Sequence, residues 1–177
     1  MRIVILAGGE GRRIGGGKPQ LLLGGVTLLD RALRLARSWS DEVLVAARGG
    51  GDIEDDPAIE GPLGGLAAAL ALGGDVLTIP CDMPFLPGDL PARLVSDKAV
   101  TLAASGGHLH PVCALWKGEA LAVLPAYLAT GRRSLKGFAE AVGYRAVEWP
   151  VEPFDLFFNI NDLHDMAAAA RLLPLRG

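Results

Sequence analysis

The chain has 177 residues and 18.4 kDa, is 50% hydrophobic, and carries a formal net charge of −3 with a pI near 5.6. That length suits one α/β domain over residues 1–177 with a core large enough to need neither metal nor disulfide, and the acidic balance excludes a general nucleic-acid binder. Glycine is the outlier at 24 residues, roughly twice the usual share of about 7%, but it follows no three-residue period and the apolar content is too high for disorder.

Arg2 to Ala7 is a short Ile-, Val- and Leu-rich run bounded by glycines, which predicts a buried strand. A loop follows to about Gly25. Thr27-Leu28-Leu29-Asp30 resembles a capping box with Asp in the Glu position, and Leu29, Leu33 and Ala36 then recur at helical spacing. Glu42 to Ala47 reads as a second strand leaving through the turn-rich Arg48-Gly49-Gly50-Gly51-Asp52. Pro62 suits the first turn of a helix that Gly73-Gly74 stops, and Asp75 to Ile79 is a third strand ended by Pro80.

Asp89 is placed to cap a helix reaching about Asp97. Ala99–Ala104 and His110–Trp116 read as strands around a Ser105-Gly106-Gly107 turn. Helices are expected from Gly118 to Ala129 and from Ser134, strands over Tyr144–Trp149 and Leu156–Ile160, and a final helix capped by Asp162. Alternating strand and helix predicts right-handed βαβ units, a mostly parallel sheet and helices on both faces, a three-layer Rossmann-like fold. Ligands of such sheets lie outside the carboxyl ends of the strands, so the loops after Ala7, Ala47 and Ile79 hold the candidate chemistry.

Other features narrow the class. No run of about 18 uncharged apolar residues could span a membrane, and the N-terminal apolar run is too short for a secretory signal. Cys81 and Cys113 are isolated, without a Cys-x-x-Cys spacing. A reduced, cytoplasmic protein with no membrane or nucleic-acid partner is expected.

The loop Gly8 to Lys18 holds six glycines in eleven residues, together with Arg12, Arg13 and Lys18. Glycine backbone N–H groups can converge on phosphates because no Cβ blocks the approach. The loop is not a P-loop: Arg12 stands where the first glycine belongs, and Pro19 replaces the hydroxyl residue. Nor is it a dinucleotide fingerprint, because Ile14 stands where the third glycine should. After the third strand, Pro80-Cys81-Asp82-Met83-Pro84-Phe85 places a carboxylate at the same sheet edge, as magnesium-assisted chemistry on a nucleotide requires. Cys81 has no histidine near it in sequence and reads as a small buried thiol.

Leu6-Ala7-Gly8-Gly9 with Arg13, Gly15 and Lys18 resembles the opening of nucleotidyltransferases that activate sugars, polyols and the molybdenum cofactor. Pro80-Cys81-Asp82, Gly61-Pro62-Leu63-Gly64-Gly65-Leu66, His110-Pro111 before an apolar strand, and Phe158-Asn159-Ile160-Asn161 narrow the likeness. Together they resemble the molybdenum cofactor guanylyltransferase family, in family order over nearly the whole chain. The resemblance implies transfer of GMP from GTP to the terminal phosphate of molybdopterin, with pyrophosphate released and Mg²⁺ as cofactor. It implies GTP and molybdopterin as partners, with molybdoenzyme maturation proteins further along; a monomer or weak oligomer is expected.

Carried over by motif, Leu6, Ala7, Gly8 and Gly9 would contact the nucleotide, and Gly61, Pro62 and Leu63 would lie beside the guanine. Lys18 and Arg13 would neutralise phosphate charge, and Asp82 would serve catalysis, nucleotide and metal together. Asp55 and Asp56 both qualify as the aspartate beside the nucleoside, with Asp55 preferred by spacing. Asn161 would be the second metal-side ligand. The sequence departs from the pattern at Gly11, at Gly17 before the lysine, near Arg48, and after Asn161, where Thr-Pro is missing. A sister enzyme using CTP or another NTP on a molybdopterin or on a sugar or polyol phosphate, and a non-catalytic nucleotide-binding module, are the alternatives.

Overall fold

A computed structural model describes residues 1–8 and 17–176. The first strand, β1 (Arg2–Leu6), lies between two parallel neighbours, β4 (Val43–Ala47) and β6 (Val76–Pro80). Its side chains alternate between two cores, as the period of two requires. Ile3 and Ile5 join a cluster that contains Ala32 and Ala36 of α1 (Leu28–Arg37) and Leu90 and Leu94 of α3 (Leu90–Leu94). Val4 and Leu6 join Leu63, Leu66 and Leu70 of α2 (Pro62–Ala71) on the opposite face. Both faces of the sheet are thereby covered, which explains why β1 and β6 read as continuous apolar runs.

The sheet has seven strands in the order β5-β4-β1-β6-β8-β7-β9, with β5 at Ile53–Glu54, β7 at Val100–Ser105, β8 at His108–Trp116 and β9 at Tyr144–Trp149. Only β8 runs against the rest, because Gly106 and Gly107, with φ of 54° and 77°, fold it back on β7 in a two-residue turn. The chain then passes through a 3₁₀ turn, Gly118–Val123, and α4 (Leu124–Ala129) and α5 (Leu135–Val142), to lay β9 parallel to β7. A small hairpin, β2 (Leu22–Leu23) and β3 (Val26–Thr27), follows the first loop, and α6 (Leu163–Leu172) ends the fold.

Most local signals act as read. Thr27 caps α1 by accepting from the Asp30 N–H, and Ser134 and Asp162 cap α5 and α6 the same way. Asp89 precedes α3 but makes no cap bond; its carboxylate accepts from the Trp149 indole N–H at 3.1 Å, and α3 stops at Leu94. The expected helix from Gly118 is 3₁₀ as far as Val123. The short strands β2, β3 and β5 have no counterpart in the sequence reading.

The Leu156–Ile160 strand does not form. Both neighbours of β6 are already taken, so no sheet edge beside the site is free for it. Asp155 turns the chain instead, accepting the Phe157 N–H on its carboxylate and the Phe158 N–H on its carbonyl. Phe154 and Phe158 then pack on Phe85, and the run closes a third small core with Ile160 and α6.

Candidate nucleotide site

The chain leaves β1 on one side and returns on the other between β1 and β6, the point where ligands of doubly wound sheets bind. A cavity of about 210 Å³ opens there. Leu6, Ala7 and Gly8 from the end of β1 and Pro80, Cys81 and Asp82 from the end of β6 form its base. Lys18 closes one side. Ala46, Asp55, Gly61 and Pro62 form the opposite wall, and Val112 and Asn159 complete it.

Lys18 follows Gly17, whose left-handed φ of 67° turns the chain into a short 3₁₀ helix, Lys18–Gln20. The lysine Nζ donates to Asp82 Oδ2 at 2.5 Å, with only 12% and 18% of the two side chains exposed. The two residues expected to handle phosphate and metal are therefore brought together as one half-buried ion pair.

Asp55 is 8% exposed, and its Oδ1 has no hydrogen-bond partner among the described residues. Two glycines make room for it. A Cβ on Gly8 would sit 2.6 Å from Asp55 Oδ2, and one on Gly65 would sit 2.9 Å from Oδ1 and 3.0 Å from both Ala46 and Leu6. Burial raises the Asp55 pKa above the ordinary carboxylate value; Arg48 opposes that shift and Glu54 adds to it. Asp56 is outside the cavity wall, its Oδ1 accepting the Ala58 N–H at 2.9 Å in the turn before α2. Of the two aspartates, Asp55 faces the cavity and Asp56 shapes the turn.

Two other expected site residues lie outside the cavity lining. Leu63 is fully buried in the core between α2 and the sheet, so its side chain does not reach the cavity that Gly61 and Pro62 line. Asn161 is exposed outside the cavity, its backbone N–H tied to Asp165 Oδ2 at 2.8 Å in the cap of α6. Asn159 lines the cavity instead, with Oδ1 buried and unpartnered among the described residues. In a strand Asn159 and Asn161 would share a face; the irregular loop separates them. Gly9 and Arg13 lie outside the described residues.

Sequence reasoning also passed over Val112. It reaches the cavity because β8 bulges where Pro111 cannot donate to the ladder, between the Leu102–Ala114 and Ala103–His110 pairs. Burial pushes the Cys81 thiol up to about 12, with Asp82 adding to the shift, so it is a neutral wall group and no nucleophile. A second cavity of about 470 Å³ shares Ala7 and Gly8 with the first and is bordered by Gln20 and Arg48. Arg132 pairs with Glu140, and Arg133 donates to the Leu128 carbonyl at the end of α4, so both serve helix packing.

A mostly parallel sheet, a lysine–aspartate pair beyond its carboxyl ends and a glycine-lined acceptor wall define a nucleotidyltransferase of Rossmann-like fold. Residues 3–145 match the MobA-like NTP transferase domain family. The molybdenum cofactor guanylyltransferase of Cereibacter sphaeroides is 38% identical over 186 residues, covering 96% of this chain and 95% of that protein. The crystal structure of molybdopterin-guanine dinucleotide biosynthesis protein A from Archaeoglobus fulgidus superposes with a TM-score of 0.80 at 24% identity, over 99% of this chain and 100% of that one. The 2-C-methyl-D-erythritol 4-phosphate cytidylyltransferase of Thermus thermophilus shares the fold at a TM-score of 0.67 and 20% identity, over 98% and 100% of the chains. The chain belongs to the molybdenum cofactor guanylyltransferase family.

Proposed function

We propose that this protein transfers GMP from GTP to the terminal phosphate of molybdenum-bound molybdopterin, releasing pyrophosphate and forming the guanine dinucleotide cofactor. The observation that carries this reading is the Lys18–Asp82 pair lining the same cavity as the buried acceptor of Asp55. The name borne by relatives of near-equal length selects guanine and molybdopterin within the class.

A terminal phosphate oxygen attacks the α-phosphorus, a new P–O bond forms, and the bond to the β-phosphate oxygen breaks. The nucleophile arrives as an anion, so no general base is needed, and the barrier falls mainly by charge neutralisation and in-line positioning. Lys18 neutralises phosphate charge, with Arg13 as a second cation. Gly8 and Gly9 let the backbone approach the nucleotide, and Asp55 accepts hydrogen bonds from the nucleoside. Asp82 and Asn159 suit Mg²⁺, since both offer hard oxygens and the Asn159 oxygen has no partner among the described residues. The ion supplies further neutralisation of the phosphates when bound. Both cysteines are free thiols, which suits a reducing cytoplasm.

The test is pyrophosphate release by the purified protein with each nucleoside triphosphate, Mg²⁺ and molybdopterin. Release with GTP alone is expected. Release with CTP instead of GTP overturns the base assignment, and binding of nucleotides with no release makes the chain a non-catalytic module.

A further inference from the structure

Beside the cavity, where β7 ends, lies a polar cluster that the proposed chemistry does not use. Ser105 is 1% exposed, and its Oγ lies 2.7 Å from His110 Nε2 and 2.9 and 3.0 Å from the two oxygens of Asp155. A hydroxyl has one proton, and a carboxylate can only accept. The serine proton therefore goes to Asp155, and the serine oxygen accepts from His110 Nε2–H. Burial lowers the His110 pKa against the opposing pull of Asp155 and Glu148, while His108 adds to the lowering. The ring is thus neutral near pH 7, with its proton at Nε2.

This direction of donation rules out a nucleophilic serine, because the histidine nitrogen that faces it already holds a proton. What the cluster does is hold a loop. Asp155 Oδ1 also accepts the Phe157 N–H at 2.9 Å, and the Phe157 ring stacks on the His110 imidazole at 4.6 Å and 5°. The Asp155 carbonyl accepts the Phe158 N–H at 3.1 Å, and the Ile160 N–H donates to the Asp82 carbonyl at 2.9 Å. Asn159 stands between these two anchors. The loop has no regular structure to hold it, yet it presents to the cavity a buried amide oxygen with no partner among the described residues.

We infer that Ser105, His110 and Asp155 are positioning residues that fix the 155–160 loop so that the Asn159 side chain faces the reacting phosphates. This inference rests on the proposed role of Asn159, so its test has one arm that needs no activity. In the full-length protein, hydrogen–deuterium exchange at the Phe157, Phe158 and Ile160 amides should rise about tenfold in Ser105→Ala and His110→Leu. His110→Gln keeps an N–H donor and should stay near wild type. Unchanged exchange at those amides in His110→Leu overturns the clamp, and this arm holds even if Ser105→Ala fails to fold.

The second arm is a double-mutant cycle on pyrophosphate release. If the clamp acts through Asn159, Ser105→Ala lowers kcat, and the Ser105→Ala/Asn159→Ala double variant is no slower than Asn159→Ala alone. Losses that multiply in the double variant show a general structural role and overturn the inference, as does full activity of Asn159→Ala. Inactivity of the wild type with GTP defeats the proposed function instead, and the exchange arm still decides the clamp.

Discussion

The two sides of the cavity solve the problem of buried charge in opposite ways. On the Lys18 side, cation and carboxylate neutralise each other at 2.5 Å. On the Asp55 side, a carboxylate more buried than either has an oxygen with no partner among the described residues, set among Gly8, Gly65 and Ala46. An unsatisfied buried acceptor costs roughly 1–3 kcal/mol, so that wall is less stable without a ligand than it could be. The paired side must exchange its internal contact for external ones when an anion and a cation arrive, whereas the unpaired side has only contacts to gain. Under the proposed function, charge handling falls to the paired wall and recognition to the unpaired one.

Four substitutions separate the two sides, beginning with the largest effect. Lys18→Ala should lower kcat by roughly 10²–10³, the size typical of losing one preorganised charge-stabilising group. Steady-state pyrophosphate release measures it, and near-normal turnover would remove Lys18 from the chemistry. Asp55→Ala should instead act on recognition, raising KM for GTP by about tenfold, equivalent to ~1.4 kcal/mol, with kcat changed much less. A kcat loss as large as that of Lys18→Ala would merge the two walls into one function.

Gly65→Ala puts a methyl group against Asp55, Ala46 and Leu6 and should destabilise by about 1–3 kcal/mol through overpacking. Thermal unfolding with and without GTP should show a lower Tm and a weaker nucleotide shift; an unchanged shift would mean Asp55 is not read by the nucleotide. Asp56→Ala is the smallest. It loses one turn hydrogen bond, about 0.5–1.5 kcal/mol, and should leave KM for GTP within about twofold. A KM rise matching that of Asp55→Ala would reverse the assignment of the pair.

The Asp55 pKa adds a pH signature to the same contrast. Because burial raises the folded-state value above the unfolded one, the native state favours the protonated carboxyl. Its contribution to stability is full below the ordinary carboxylate range and is lost as pH rises through the folded value. Asp55→Asn should therefore raise Tm of the unliganded protein at neutral pH, with the gain shrinking as pH falls toward the ordinary aspartate pKa. A gain independent of pH would show that charge is not its origin.

Residue patterns alone determined the order of the main strands and helices, the caps at Thr27 and Asp162, the helix start at Ser134, and the candidacy of Lys18 and Asp82. These signals are local: apolar runs bounded by glycine or proline, and cap residues that bond three positions ahead. The tertiary structure decided which neighbours of those motifs face the site. α2 is apolar all round, so its sequence carries no phase, and nothing in it reveals that Leu63 enters the core while Gly61 and Pro62 line the cavity. Likewise, Asp55 and Asp56 differ only in which way one turn directs them. Asn159 and Asn161 look equivalent until a full sheet and the Asp155 turn keep their segment out of strand geometry. Composition showed an excess of glycine, but only the packing showed why Gly8 and Gly65 are needed: two distant segments approach one carboxylate more closely than a Cβ allows.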